Sequence, residues 1–374
     1  MSKAFGIITC ASKKTTVEKM EDYRSIGAFS FLGRYRIIDF SISNMSNSDI
    51  SRIQIFVSGT KPRSLIEHVG SGRHYNVNSK RGKVQLLFSE AGTIKNIYST
   101  DVNAYLENID FIRRVHEEYV IIAPSYVICK VDYQDLLQKH IDSGADITLL
   151  YHRVHDAQEA FLNSYTVTLN RQKGVLCIEK NRGSAKDRNI FMDSYIMKKD
   201  LFIDLLYMAK KLSSVCTLQQ IVDEQCRNGS MDVRGVPHRG YFEAIVDFES
   251  YYRAQMESLN IDSLETLFED QWPIYTRTSD TSPTQYFNGS EVRNSFIANG
   301  CVIEGTVENS VIGRGCKIEK GAVVRNSVIL AYSTIGEGVH VENQVVDKWA
   351  QIIQTKEIVS PPDNPGYIKR DDKL

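Results

Sequence analysis

A repeat in the last third of the chain limits its possible folds more than any other sequence feature. The pattern Asn-Ser-x-Ile, or a close variant of it, begins at residues 294, 309, 326 and 343. Aliphatic residues between the later copies recur every five or six positions, and the glycines at 313, 315, 321, 336 and 338 can supply sharp corners. An antiparallel sandwich would instead alternate with a period of two. The repeat therefore predicts a parallel β-helix with three short strands per coil. Its inward-facing stack includes Ile312, Ile318, Val324, Ile329, Ile335, Val341, Val346 and Ile352.

The first two thirds of the chain alternate short apolar segments with amphipathic ones. The predicted strands are Phe5–Cys10, Ile53–Ser58, Val84–Phe88, Tyr119–Pro124, Ile147–His152 and Tyr165–Leu169. The predicted helices are Ile38–Ser46, Arg63–Val69, Ala104–Glu117, Tyr133–Ser143, Lys199–Leu212 and Phe248–Leu259. Strands that alternate with helices indicate an α/β domain with a mostly parallel sheet covered on both faces.

These patterns divide the chain into four segments. Residues 1–259 form the α/β domain, and residues 260–287 are interpreted as a linker because periodicity stops there. Residues 288–356 form the β-helix. The last segment, residues 357–374, is rich in proline and charge, and we expect it to be poorly ordered.

Composition excludes several classes of protein. The formal net charge is -1, which gives no basis for a nucleic-acid partner. Apolar runs are the length of a strand and too short to span a membrane. The first residues enter a strand pattern without the features of a signal peptide. Seven scattered cysteines without a C-x-x-C pair suggest reduced thiols. We therefore expect a cytoplasmic protein.

Two blocks carry a resemblance to a known family. Gly33–Phe40 reads GRYRIIDF and is followed by Ser43-Asn44 and Asn47-Ser48, while Trp272–Thr276 reads WPIYT. Together with Tyr286-Phe287, these blocks resemble the ADP-glucose pyrophosphorylases, also called glucose-1-phosphate adenylyltransferases. The resemblance implies a Rossmann-like nucleotidyltransferase domain followed by a left-handed parallel β-helix of hexapeptide repeats. It also implies transfer of an adenylyl group from ATP to glucose 1-phosphate, with release of pyrophosphate.

Several positions depart from what that reaction requires. The family's glycine-rich triphosphate loop corresponds to Cys10–Thr15, which contains no glycine and no arginine. A downstream lysine of the family corresponds to Ile26. The two aspartates that hold Mg²⁺ correspond to Tyr126 and Ala244. The stretch beside the nucleotide is also altered, to Thr100–Ala104. The losses fall on the groups that would offset triphosphate charge.

The sugar-phosphate side keeps more of the family pattern. Glu179 and Lys180 match the motif whose lysine contacts the glucose phosphate, and Tyr98 matches an aromatic residue near the sugar. These three are the candidate substrate-binding residues. The alternative for Lys180 is a solvated lysine at the end of a strand.

Several other polar residues could bind a ligand, but a purely structural role is the alternative for each of them. Arg34 and Arg36 could bind an anion, but pairing with Asp39 or a neighbouring carboxylate explains them equally well. His152 and His155 have a spacing that metals can use, yet no carboxylate accompanies them. We interpret both histidines as non-ligands.

The resemblance together with its departures implies the GlgD-type regulatory subunit of this family. Such a subunit lacks catalysis and assembles with a catalytic GlgC-type subunit, here expected as a heterotetramer. No cofactor is expected for this chain, since Mg²⁺ would belong to the catalytic partner; a sugar phosphate is a possible ligand.

Two alternatives stay open. The chain could be an active nucleotidyltransferase whose metal site is rebuilt from Asp101, Asp132 or Glu243. It could also be a sugar-phosphate sensor that has no enzyme partner.

Overall fold

The computed structural model describes residues 3–10, 17, 19–57, 61–75, 77, 82–89 and 100–374. Within these residues, no helix combines the length and apolar character needed to cross a membrane. The described chain forms an α/β domain followed by a β-helix.

The α/β domain contains thirteen strands and nine helices within the described residues. The strands are β1 Ala4–Thr9, β2 Ser30–Phe31, β3 Tyr35–Arg36, β4 Arg52–Val57, β5 Lys83–Phe88, β6 Tyr119–Pro124, β7 Val127–Cys129, β8 Ile147–Val154, β9 Tyr165–Leu169, β10 Val175–Lys180, β11 Arg188–Lys198, β12 Val233–His238 and β13 Phe242–Ala244. The helices are α1 Ile37–Asn47, α2 Arg63–Val69, α3 Asp101–Glu107, α4 Ile109–Arg113, α5 Tyr133–Ser143, α6 Lys199–Leu212, α7 Leu218–Asn228, α8 Phe248–Glu257 and α9 Ile261–Leu267.

A nine-stranded sheet forms the centre of this domain. Strands β5, β4, β1 and β6 run parallel in that order, and the long strand β11 pairs antiparallel with β6. Beyond β11 lie the antiparallel pair β9–β10 and the parallel pair β8–β12. Apolar side chains on the two faces enter two separate core clusters. The predicted mostly parallel, Rossmann-like sheet with helices on both faces is confirmed.

The GRYRIIDF block and the linker hold each other in place. Asp39 caps α1 by accepting a hydrogen bond from the Arg36 backbone N–H at 2.8 Å. One turn later, Asn44 Oδ1 accepts from the Trp272 indole N–H at 2.9 Å. The Ser43 hydroxyl accepts from the Tyr275 backbone N–H at 2.9 Å. The family signature therefore has a scaffold function in this fold, because it fixes the segment that leads into the β-helix.

The β-helix consists of five coils built from three parallel sheets. Its strands are β14 Gln285–Tyr286, β15 Glu291–Arg293, β16 Phe296–Ile297, β17 Val302–Ile303, β18 Thr306–Glu308, β19 Val311–Ile312, β20 Lys317–Ile318, β21 Val323–Arg325, β22 Val328–Ile329, β23 Thr334–Ile335, β24 His340–Glu342, β25 Gln344–Val346, β26 Gln351–Ile352, β27 Glu357–Val359 and β28 Gly366–Ile368. Every third strand pairs, so each sheet has five strands. All eight aliphatic residues predicted to face inward are fully buried. The predicted left-handed parallel β-helix is confirmed.

Asparagines form one corner of the β-helix. Asn294, Asn309, Asn326 and Asn343 have left-handed backbone conformations, with φ between 42° and 54°. Asparagine tolerates this region better than other residues with a side chain. The repeated asparagine of the sequence pattern is therefore a corner residue, in a role that we had assigned only to glycine.

The expectation of a poorly ordered tail is wrong. Strands β27 and β28 extend two of the three sheets, and Ile368 is buried. The carbonyl oxygen of Leu374 accepts hydrogen bonds from the backbone N–H groups of Ile353 at 2.6 Å and Gln354 at 2.8 Å. The β-helix therefore continues past residue 356. The proline-rich stretch connects β27 to β28, and each of these strands pairs with a strand of the preceding coil. In the predicted linker, α9 occupies the first quarter.

Candidate functional site

The positions predicted to have lost catalytic groups meet at the carboxyl ends of β1 and β6. Ligands bind at this edge in open α/β sheets. The turn Ile26–Ala28 packs against Ser125, since a β-carbon on Gly27 would come within 3.2 Å of the Ser125 β-carbon. Ala244 ends β13, Tyr126 directly precedes the adjoining strand β7, and the Ile245 backbone N–H donates to the Tyr126 carbonyl oxygen at 2.9 Å. The structure therefore brings the Ile26 turn, Tyr126 and Ala244 together.

A buried carboxylate between two tyrosines fills this edge. The Tyr126 hydroxyl donates to Asp193 Oδ2 at 3.1 Å, and the Tyr195 hydroxyl donates to Asp193 Oδ1 at 3.2 Å. All three residues are buried. Burial, and then the Asp193 charge, raise the pKa of both phenols well above the usual range, so both stay protonated donors.

Asp193 also has an unusual backbone conformation. Its φ of 51° is left-handed in the middle of a strand, at the irregularity between Phe191 and Tyr195. Such a conformation costs on the order of 1–3 kcal/mol and often marks functional sites. In this conformation the Asp193 carboxylate accepts from the hydroxyl groups of Tyr126 and Tyr195.

The described residues leave little space at this edge. The cavity lined by Tyr126, Tyr165, Asp193 and Ala244 has a volume of about 10 Å³. A single water molecule needs roughly 10–15 Å³. A sugar phosphate does not fit there unless the tyrosines move.

The residues at this edge do not fit a magnesium ion. Mg²⁺ prefers carboxylate and phosphate oxygens in near-ideal octahedral geometry. The family's two carboxylate positions hold a phenol at Tyr126 and a methyl group at Ala244. The remaining carboxylate, Asp193, already accepts from two hydroxyl groups. We therefore derive no reaction step through a metal in this chain.

The acids considered for a rebuilt metal site do not converge. Asp101 is buried and accepts from the backbone N–H groups of Val102 at 2.9 Å and Leu218 at 3.2 Å, where α3 and α7 begin. Asp132 is exposed and caps α5. Glu243 neighbours Ala244 on β13, and strand alternation directs it to the opposite face, 3.4 Å from Arg253. Burial raises the pKa of Glu243 to about 7, although Arg253 opposes that shift.

His152 and His155, whose spacing could have suited a metal, contact different partners. His152 Nδ1 lies 3.2 Å from His238 Nδ1, while His155 forms an exposed ion pair with Asp187. Across the part of the chain that is described, no three His, Cys, Asp or Glu side chains are grouped as metal ligands.

Two of the three candidate substrate-binding residues, Glu179 and Lys180, are described, and neither lines the cavity. Lys180 pairs with Tyr165 in the β9–β10 ladder, and its side chain is exposed. Glu179 is also exposed and forms an ion pair with Arg227 of α7 at 3.3 Å. Asn181 is buried and donates to the Ala157 carbonyl oxygen at 2.9 Å, which is a structural contact. A role for Glu179 and Lys180 in substrate binding stays a prediction.

Two other predicted features fall partly or wholly outside the described residues. Tyr98 lies there, as does most of the loop Cys10–Thr15, of which Cys10 alone is described. The altered stretch Thr100–Ala104 begins α3, and the Thr100 hydroxyl caps that helix.

A second group of charges, at the boundary between the two domains, was missed by the sequence analysis. Arg24 forms a fully buried ion pair with Asp347 of the β-helix, with Nη2 at 2.5 and 2.7 Å from the two carboxylate oxygens. Tyr367 also donates to Asp347, at 2.6 Å. Burial, followed by the Arg24 charge, lowers the pKa of Arg36 to about 10. The pKa of Lys348 falls to about 6 for the same reasons, with Arg36 as the strongest neighbouring charge.

Fold and site together define the class: a nucleotidyltransferase-type α/β domain joined to a hexapeptide β-helix. Residues 24–260 match the family model described as nucleotidyl transferase, and residues 282–364 match the GlmU-like C-terminal hexapeptide model. The chain belongs to the nucleotidyl transferase family, within the group that comprises the glucose-1-phosphate adenylyltransferases and the GlgD proteins.

Three relatives illustrate this membership. The glycogen biosynthesis protein GlgD of Bacillus subtilis (strain 168) is 28% identical over 371 residues, which cover 99% of this chain and 96% of the relative. The glycogen biosynthesis protein GlgD of Geobacillus stearothermophilus is 33% identical over 324 residues, 86% of this chain and 83% of the relative. The glucose-1-phosphate adenylyltransferase of Clostridium perfringens (strain 13 / Type A) is 31% identical over 319 residues, 82% and 78% of the two chains. The resemblance carried by the sequence motifs is thereby confirmed.

Proposed function

We propose that this chain is a non-catalytic, regulatory-type subunit of a glucose-1-phosphate adenylyltransferase and that it acts in glycogen biosynthesis. The similarity to proteins named for glycogen biosynthesis supports the process. The observation that carries the non-catalytic part is the closed edge at Tyr126, Asp193 and Ala244. There, a phenol and a methyl group stand where the reaction would need two carboxylates.

The expected size of the losses in rate and in transition-state stabilisation supports the absence of catalysis. Loss of one pre-aimed donor costs roughly 10²–10³ in rate, and loss of a metal ion removes several kcal/mol of transition-state stabilisation. Both losses occur at the same edge of this sheet.

The retained parts of the molecule support action through a partner. The contacts from Ser43 and Asn44 to the linker are complete, and the β-helix keeps five regular coils. These features preserve the overall shape of a family member while the chemistry is lost. A subunit of this kind changes its partner's activity by binding one conformation more tightly than another. We propose a catalytic GlgC-type subunit as the partner, in a heterotetramer.

Three parallel assays test the proposal: this chain alone, a catalytic homologue alone, and their mixture. Each is assayed for ADP-glucose synthesis with Mg-ATP and glucose 1-phosphate, and each is sized by light scattering. We expect negligible activity from this chain alone and a stable hetero-oligomer in the mixture. A coupling of 1–3 kcal/mol would change the partner's turnover or effector response by roughly 5–150-fold.

The other outcomes separate the alternatives. Mg-dependent synthesis by this chain alone, abolished by Glu243→Gln, would establish a rebuilt metal site. The same activity unaffected by that substitution, and also by Asp101→Asn and Asp132→Asn, would point to catalytic subunit carried through purification. Absence of a complex, or a complex with unchanged kinetics, would contradict the regulatory role and favour a sugar-phosphate sensor.

A further inference from the structure

An uncharged groove lies between the asparagine corner of the β-helix and helices α8 and α9. Its volume is about 650 Å³. Ten residues line it and none of them is charged, although 24% of the chain is charged, so the groove differs in chemistry from the rest of the surface. The sugar phosphates and nucleotides handled by the family are anions, and this groove offers them no counter-charge.

One wall is a row of four amides. Asn294, Asn309, Asn326 and Asn343 occupy equivalent positions in successive coils, which are about 4.7–4.9 Å apart. Asn294 Nδ2 donates to Asn309 Oδ1 at 2.9 Å, and Asn343 Nδ2 donates to the Ser360 carbonyl oxygen at 2.7 Å. The Asn309 amino group and the Asn326 side chain have no hydrogen-bond partner among the described residues. Two neighbouring amides can therefore bind a ligand.

The left-handed backbone conformation does not by itself explain why asparagine occupies these corners. The same left-handed conformation is supplied by glycine at other corners, including Gly315, Gly321 and Gly338. Glycine would meet the conformational requirement at lower cost. The asparagine side chains thus add hydrogen-bonding capacity that the corner does not need.

The opposite wall is largely apolar. Met256, Leu259 and Ile261 line it, and Ile261 is 69% exposed, which is high for a large aliphatic residue. Tyr252 crosses the floor of the groove and donates its hydroxyl to the Asn326 carbonyl oxygen at 2.5 Å. This contact holds α8 against the β-helix and leaves the groove open along the corner.

We propose that this groove binds a neutral oligosaccharide. Each amide both donates and accepts hydrogen bonds, as sugar hydroxyl groups do. The apolar wall can cover the C–H face of a sugar ring. The groove follows the row of four asparagines for roughly 14 Å, with the two available amides in the middle, and this length suits several linked sugars better than one. The inference goes beyond the proposed function, because it concerns a different surface and does not depend on a catalytic partner.

Calorimetric titration of the full chain with maltoheptaose tests this site, with cellohexaose and an uncharged Gly/Ser/Asn peptide as comparison ligands. The test variant is Asn309→Gly/Asn326→Gly, which keeps the left-handed corners and removes both amides, together with the Asn294–Asn309 hydrogen bond. Asp49→Gly is the matched control, because Asp49 is also left-handed and exposed but lies outside the groove. Thermal unfolding of each variant verifies that it is folded.

We expect maltoheptaose to bind, the double variant to bind roughly 5- to 150-fold more weakly, and the control to match the wild type. Ile261→Asp, which places a charge in the apolar wall, should also weaken binding. Equal binding of cellohexaose would support a neutral-oligosaccharide site without preference for linkage. The proposal is overturned by no binding of either sugar, by unchanged affinity in a folded double variant, or by binding of the peptide alone.

Discussion

Lys348 is half-buried at the domain boundary among residues of the same charge. Burial contributes most to its lowered pKa of about 6, followed by the charges of Arg36 and Arg24. An unfolded lysine has a pKa of about 10.4. Between these two values the unfolded chain binds one more proton than the folded chain, so this residue makes stability rise with pH in that window.

Lys348→Met should therefore stabilise the protein, most strongly at pH 6 and below. The advantage over wild type should shrink as the pH rises from about 6 to about 10.4, because above the unfolded pKa the wild-type lysine is neutral in both states. Urea unfolding of both proteins at several pH values measures this difference. Lys317→Met, at an exposed β-helix position, is the control. A constant difference between Lys348→Met and wild type across that range would contradict the lowered pKa.

The sequence predicted some parts of the candidate site and missed others, for physical reasons. Tyr126 and Ala244 were predicted from motif positions, and the structure places them together. The resemblance named the groups that were lost and could not reveal what replaced them. Asp193 was missed, although a charged residue inside the apolar run IFMDSYIM was a usable signal. Asp347 gave no signal, because its partner Arg24 is distant in sequence.

At the scale of the element, the β-helix depends on an uninterrupted apolar stack. Ile329 is fully buried between Ile312 of the preceding coil and Val346 of the following coil. A charge at this position would have no partner, and the in-register neighbours on both sides are apolar.

Ile329→Asp should cost several kcal/mol and lower the thermal midpoint of the β-helix. Lys317→Asp provides the matched control, because it places the same side chain on an outward position of the same coil. Circular dichroism of both variants during heating measures the effect. Equal melting of Ile329→Asp and wild type would mean that the residue does not face inward.

Elements were predicted best where periodicity and caps agree. The predicted helix Tyr133–Ser143 has the observed bounds, with Asp132 as its N-cap and Gly144 left-handed at its end. The predicted helix Ala104–Glu117 is two helices, because the Asn108 side chain bonds the Phe88 carbonyl oxygen where they separate. Helix α7 was missed even though Thr217 and Gln220 form a capping box. That helix is mostly polar on its exposed face, so the local pattern resembled a loop.

At the scale of the whole molecule, the two domains share a buried ion pair. Arg24 and Asp347 are both almost completely inaccessible to solvent, and Arg24 Nη1 is buried without a hydrogen-bond partner among the described residues. Removal of one member of such a pair leaves an uncompensated buried charge.

Arg24→Met alone or Asp347→Asn alone should destabilise the protein, by roughly 3–5 kcal/mol for a fully broken pair. Asp347→Asn should be the milder change, since the amide can still accept hydrogen bonds from Arg24 and Tyr367. The double variant should lose less than the sum of the two, because no isolated charge remains. Denaturant unfolding of all four proteins gives the coupling free energy. Strict additivity would show that the pair does not join the domains energetically.

The same pair has a consequence for synthesis on the ribosome. Arg24 emerges early, and its partner Asp347 follows 323 residues later. At about 5–20 residues per second, that delay is roughly 16–65 seconds. From the completion of the first domain until the end of this delay, that domain presents a guanidinium group and the surrounding apolar surface without the β-helix that covers them. The nascent chain is therefore most exposed to aggregation and to chaperone capture after its first domain has folded, and it stays so until the fourth coil has been translated.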